Sequence, residues 1–274
     1  GMKISIREGS AAKNFEALID LIDEYPEMIL FCSDDKHPDN LAISHINELV
    51  ARAVAKGKDV FDVLKAACLN PIEHYSLPVG QVREGDPADF ILVNDLEKFE
   101  VLETYIQGQK VAEDGKTLIP RVNTELINNF HTSLKKPKDF QIPASGNKVR
   151  VIEALDGQLI TPEISGEIIL REGLAESNLE KDILKITVVN RYEDAPPAVA
   201  FIKNFGLKAG AIASSVGHDS HNIIAVGVDD ASICRAVNLL IQVKGGVSAV
   251  FGEKEEVLPL PVAGIMSPKD GYHV

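Results

Sequence analysis

The spacing of apolar positions changes along the chain, and each change predicts a different kind of element. Over residues 3–7 charged and apolar side chains alternate, the period of a strand. Phe15, Leu18, Ile19 and Ile22 then recur at helical spacing until Pro26, and residues 28–32 form a short apolar run that predicts a buried strand. Strand, helix and strand with short connections are the repeating unit of a parallel sheet. Asp39 is placed to cap a second helix, whose apolar face is Ile46, Leu49, Val50, Ala53 and Val54 and whose end is Gly57. Asp59 predicts the cap of a third, carrying Phe61, Leu64, Ala67 and Cys68. Asn70-Pro71 is expected to stop it and to start a short turn of another.

From Val79 the texture turns to β. Residues 90–93 are an apolar run, and residues 101–107 and 109–112, joined near Gly108, predict a hairpin. Residues 120–146, with Pro137, Pro143, Gly146 and a lysine cluster at 135, 136 and 138, read as a solvated connector. Beyond Lys148 the pattern predicts a separate α+β domain with strands near 149–154, 166–170, 183–189, 211–216 and 222–228. Residues 198–205 read as a short helix closed by Gly206. Asp229-Asp230 caps a longer helix carrying Ile233, Ala236, Val237, Leu240 and Ile241, ended by Gly245-Gly246. The expected fold class is α/β plus α+β, divided at residues 1–77, 78–119, 120–147 and 148–274.

Two polar clusters interrupt this pattern. After the apolar run that ends at Cys32 come Ser33, Asp34, Asp35, His37 and Asp39. In parallel β/α architectures the residues just past a strand's carboxyl end face the cleft, so carboxylates there can bind metal or move protons; the plainer alternative is a solvated turn. Glu8 and Ser10 follow the preceding strand and would face the same rim. The second cluster is Gly217-His218-Asp219-Ser220-His221-Asn222. Its imidazoles could bind metal, polarise ring nitrogens or sit in a polar network, or Asp219 and Asn222 could simply satisfy the backbone of a turn. The absence of a Gly-x-Ser-x-Gly elbow counts against a serine-nucleophile triad built on Ser220.

Four stretches, taken in order, carry a resemblance. Arg7-Glu8-Gly9-Ser10-Ala11-Ala12, Leu69-Asn70-Pro71-Ile72-Glu73-His74-Tyr75, the His218 cluster, and Leu258-Pro259-Leu260-Pro261-Val262-Ala263-Gly264-Ile265-Met266-Ser267 resemble segments of the bacterial adenine deaminases, in the amidohydrolase superfamily. The resemblance covers the last part of such enzymes. It implies that residues 3–77 are the last two β/α units of an amidohydrolase barrel, that residues 78–119 belong to a small β domain, and that residues 148–274 are a C-terminal α+β domain. It also implies a divalent metal (Mn, Fe or Zn) in the intact enzyme, with Asp34 as metal ligand and proton carrier. Glu8, Ser10, Asp35, His37, His218, Asp219 and His221 become candidates for substrate contact or support. The family's His-x-His pair and its later metal-binding His and Glu have no counterpart ahead of Lys3, so the chain is expected to be inactive by itself and to depend on a missing N-terminal barrel segment. Where such deaminases commonly show Arg-His, this chain has Arg191-Tyr192, which puts a role for that histidine in doubt.

Composition narrows the partners. A formal net charge of -13 over 274 residues argues against nucleic acid, and no apolar run approaches a membrane span. Three widely spaced cysteines, Cys32, Cys68 and Cys234, each in an apolar segment, predict buried thiols in a reducing, cytoplasmic setting. The absence of Cys-x-x-Cys excludes a zinc deaminase of the cytidine type. The partners expected are a purine base and, through the open strand edges of residues 3–77, further copies of the chain. Two other readings stand beside this one: a non-catalytic module that binds a ligand or partner, and an amidohydrolase acting on another cyclic amidine or amide, such as a dihydroorotase or imidase.

Overall fold

The computed structural model describes residues 1–10, 12–123, 125–158 and 160–271. Ala11 of the first motif lies outside them. The chain divides into two compact units, Gly1–Val122 and Asn123–Val274.

In the first unit, β1 (Ile4–Arg7) pairs in parallel with β2 (Ile29–Cys32), Ile4 opposite Ile29 and Arg7 opposite Cys32. The parallel pairing follows from the helical crossover: α1 (Phe15–Leu18) and a 3-10 turn (Ile19–Asp23) bury Phe15, Ile19 and Ile22 on the sheet. Helix α2 (Pro38–Leu41) follows β2, and α3 (Ile46–Ala55) adds Leu49, Val50 and Ala53 to the same core. Asp59 caps α4 (Val60–Leu64) by accepting from the amides of Phe61 and Asp62. Asp39 caps nothing: His37 precedes α2, and Asp39 lies in its first turn, because Pro38 fits the first helical position. Pro71 does not break the helix either. A π-helical turn (Lys65–Leu69) runs straight into α5 (Asn70–Tyr75), and the buried Asn70 amide donates to the carbonyls of Pro26 and Ile29 at 2.7 and 2.8 Å. A four-stranded antiparallel sheet follows in the order β3 (Phe90–Val93), β4 (Val101–Ile106), β5 (Gln109–Glu113), β6 (Lys116–Thr117).

The second unit is built on one eight-stranded sheet. Its strands are β8 (Lys148–Glu153), β9 (Glu163–Glu167), β12 (Ile183–Val189), β13 (Ala198–Lys203), β14 (Ala211–Ser214), β15 (Ile223–Gly227), β16 (Gly246–Phe251) and β17 (Lys254–Pro259). They lie in the order β17-β16-β14-β15-β12-β13-β8-β9. A smaller sheet is formed by β7 (Ile142–Pro143), β10 (Ile169–Arg171) and β11 (Leu174–Glu176). Helix α6 (Asp230–Val243) buries Ile233, Ala236, Val237 and Leu240 in a core with Phe140, Val189 and Ile223. Asp229 caps it through the Ser232 amide, and Lys244, in the left-handed region, closes it.

Three expectations are corrected here. Residues 198–205 are not a helix: β13 lies between β12 and β8, and that pairing overrides the helix preference of Ala198 and Ala200. The lysine cluster is only partly solvated: Lys136 and Lys138 are exposed, but Lys135 is buried and its Nζ meets Asp194 Oδ1 at 2.6 Å. Of the three thiols, Cys234 is buried, Cys32 half-buried and Cys68 exposed.

The Lys135 pair makes stability pH-dependent. Lys135, with help from Ser133, holds the Asp194 carboxyl down from 3.8 to about 2. A carboxyl depressed in the folded state contributes stability above its unfolded value, lost as pH falls through the folded one. Urea midpoints between pH 5 and 2 should therefore fall less steeply in Asp194→Asn than in the parent chain, the difference opening from about pH 4 downward. Parallel curves would remove the pair from the acid response.

Candidate functional site

The first cluster forms where β1 and β2 end side by side. Parallel pairing brings Glu8, Gly9 and Ser10 beside Cys32, Asp34 and Asp35: the Glu8 amide donates to Cys32 O at 3.4 Å and the Ser10 amide to Asp35 O at 3.1 Å. Asp34 has φ of 51°, which turns the chain sharply out of the strand. Its carboxylate accepts from Arg7 Nη1 at 2.6 Å and from the Asp35 amide at 2.7 Å. Gly9 permits the approach, since a Cβ there would lie 3.2 Å from Asp34 Cβ. Ser10 Oγ accepts from the His37 amide at 2.8 Å and donates to Asn40 Oδ1 at 3.2 Å, tying β1's end to the start of α2.

Glu8 is held independently. Arg52 Nη1 on α3 donates to it at 2.7 Å, Arg52 Nη2 reaches Glu16 at 3.0 Å, and the guanidinium lies 4.1 Å from the centre of the Phe15 ring. Burial works against the Arg52 charge, but the bonds to Glu8 and Glu16 prevail and raise its pKa. Glu8, Lys13, Lys36, Asn40, Ser44 and Glu48 line a polar pocket of about 230 Å³. Burial, with Lys36 adding repulsion, pushes the His45 imidazole down, so it favours the neutral form. His37 and Asp39 are exposed on α2 and its lead-in.

The second cluster occupies one end of the eight-stranded sheet. Because β15 is antiparallel to both β12 and β14, the turn before β15 and the loop after β12 emerge at the same end, with Val189 opposite Ile223. That turn carries His218, Asp219, Ser220 and His221, and the loop carries Arg191 and Tyr192. His218 Nδ1 pairs with the Asp219 carboxylate, and the two imidazole rings stand edge to face with centroids 6.1 Å apart. The His221 amide closes the turn onto Gly217 O at 2.6 Å, while His221 Nδ1 is buried with no hydrogen-bond partner among the described residues. The closing segment reaches the same end: Leu260 N donates to Gly245 O at 2.9 Å, and Ser215 Oγ to Gly264 O at 2.5 Å.

The structure thus gathers Glu8, Ser10, Asp34, Asp35 and His37 in the first unit, and His218, Asp219 and His221 in the second. Arg7, Arg52, Lys36 and Asn40 were not anticipated as members of the first cluster. Arg7 heads a recognisable motif and could have been found; Arg52 lies 44 residues from Glu8, and nothing in its helical spacing announces the partner.

The donors do not by themselves fit a divalent metal. Among the described residues no group of three or more His, Cys, Asp or Glu side chains is arranged to hold one, and about three protein ligands are normal for a catalytic site. Asp34 offers one carboxylate, whose Oδ2 is already bound by Arg7.

Sequence comparison identifies both units. Residues 3–111 match the model of the amidohydrolase family, and residues 158–274 match that of the adenine deaminase C-terminal domain. The adenine deaminase of Sulfurovum sp. (strain NBC37-1) is 58% identical over 274 residues, covering 100% of this chain and 50% of that protein. The chain carries the adenine deaminase C-terminal domain. A second adenine deaminase, from Salinibacter ruber, is 54% identical over 268 residues, 97% of this chain and 49% of that one. The chain spans about half the length of the curated relatives it matches. A solved β-aspartyl dipeptidase from Fervidobacterium islandicum-AW-1 overlays with a TM-score of 0.36 and 23% identity, over 46% of this chain and 34% of that one, too loose a likeness to bear on the fold. Among the described residues no helix is long and apolar enough to cross a membrane.

Proposed function

We propose that this chain is the carboxyl-terminal share of an adenine deaminase, which converts adenine and water to hypoxanthine and ammonia. The observation that carries the reading is sequence identity of 54–58% to proteins named adenine deaminase along essentially the whole chain, both polar clusters included. Those names also count against a purely binding module or another cyclic-amide substrate.

In this reading β1 and β2 with their helices are two β/α units of a barrel, and their ends form part of its rim. Water adds at C6 of the purine; Asp34 takes a proton from it and returns one to the departing amino group. Arg7 directs the carboxylate, Ser10 and Asn40 fix the loop behind it, and Glu8, held by Arg52, presents a carboxylate toward the pocket. At about 230 Å³ that pocket is below the ~300–1,000 Å³ of common ligand sites, so it would take one edge of a purine. The family implies a divalent metal, with Mn, Fe and Zn the candidates; its other ligands would come from the rest of the enzyme.

The test is ammonia release from adenine with Mn(II) or Fe(II) present. This chain alone should give none. Joined to the half of the Sulfurovum relative that it does not match, it should turn adenine over. A folded, metal-loaded joined protein that leaves adenine untouched would overturn the assignment.

A further inference from the structure

The loop after β12 contains a feature that the proposed chemistry does not use. Arg191 is buried, 4% exposed, and forms no ion pair with any carboxylate among the described residues. Its guanidinium lies 4.7 Å from the centre of the Tyr192 ring and 5.7 Å from that of Phe130. Nη1 reaches Asn128 Oδ1 at 3.4 Å, and the backbone at Gly264 (φ 72°) comes so near that a Cβ there would stand 1.8 Å from Nη1. Nη2 donates to Tyr192 Oη at 3.0 Å, and Tyr192 Oη donates to Ser220 O at 2.9 Å.

A phenol has one proton to give. Here it goes to Ser220 O, while a lone pair accepts from a guanidinium that packing holds in place. The cation polarises the O–H and strengthens the second bond. Ser220 lies directly before His221, whose φ of 51° and amide bond to Gly217 O define the turn, and the Arg191 amide donates to Asn222 Oδ1 at 3.3 Å just beyond it. Both flanks of His221 are therefore fastened to the Arg191-Tyr192 step.

We propose that Tyr192 is a positioning residue: backed by buried Arg191, its hydroxyl clamps Ser220 and so fixes the His218 and His221 imidazoles for contact with the purine. The contact with purine rests on the adenine deaminase reading above; the clamp does not.

The experiment is histidine-selective NMR on this 274-residue chain, with imidazole signals assigned through His218→Gln and His221→Gln. Tyr192→Phe should move the His218 and His221 signals and speed exchange of the His221 amide roughly tenfold, leaving His45 and His74 in place. Arg235→Ala, which removes bonds to Glu255 and Gly252 O at the opposite end of the sheet, should lower stability without moving either signal. Unmoved His218 and His221 signals in Tyr192→Phe would overturn the clamp. So would equal movement in Arg235→Ala, which would indicate general loosening.

Discussion

Asp34→Asn should lower adenine turnover by the joined protein by roughly 10²- to 10⁴-fold, the usual weight of a positioned acid-base group. The substitution isolates chemistry from folding unusually well. Asparagine tolerates the φ of 51° at this position at least as readily as aspartate, so the backbone turn should persist. The side-chain carbonyl can still accept from the Asp35 amide. Among the contacts described above, what disappears is the ion pair with Arg7, which is 42% exposed on the arginine side and so is worth about 1 kcal/mol or less. A change in melting temperature of a few degrees beside a collapse of kcat would place the defect in proton transfer. Retained turnover would remove Asp34 from the reaction.

A second large effect is expected far from that cluster. Lys185 is only 2% exposed, yet it sits in the middle of β12, with Nζ 2.5 Å from Asp230 Oδ1 and 3.3 Å from Phe140 O. Asp230→Asn leaves a buried ammonium without its counter-charge and should cost about 3–5 kcal/mol in urea unfolding. Lys185→Met should cost much less. The Asp230 carboxylate left behind keeps 20% exposure to water and lies in the first turn of α6, where a negative charge is favourably placed. Equal losses in the two variants would refute this asymmetry.

Much of the architecture was legible because local signals and burial agree. The β-branched run of β12 has the bounds that its pattern predicts, and Asp59 and Asp229 cap the helices they were expected to cap. Two of the misreadings share a physical origin, pairing between distant parts of the chain. Ala198 and Ala200 favour a helix until β12 and β8 claim them as a strand. Lys135 looks solvated until Asp194 lies beside it, 59 residues on. In the candidate site the same division holds. Asp34, Ser10 and the His218 turn stand at abrupt apolar-to-polar boundaries and could be read directly, and Arg7, which aims Asp34, heads a motif, whereas Arg52, which aims Glu8, appears as an ordinary surface charge in the sequence.

The strand order of the large sheet bears on how the protein is made. Taken in pairs, its strands are four hairpins, β8-β9, β12-β13, β14-β15 and β16-β17, and each abuts the one that precedes it in sequence. During synthesis from the amino terminus, every hairpin leaving the ribosome can add to an edge that already exists. No slot has to be kept open inside the sheet for a strand not yet translated, and the search for partners stays short even in a unit this rich in β-structure. The hairpins that carry Tyr192 and the paired imidazoles are the second and third to arrive, so the end of the sheet where they meet can assemble before the closing segment is translated and packs against it.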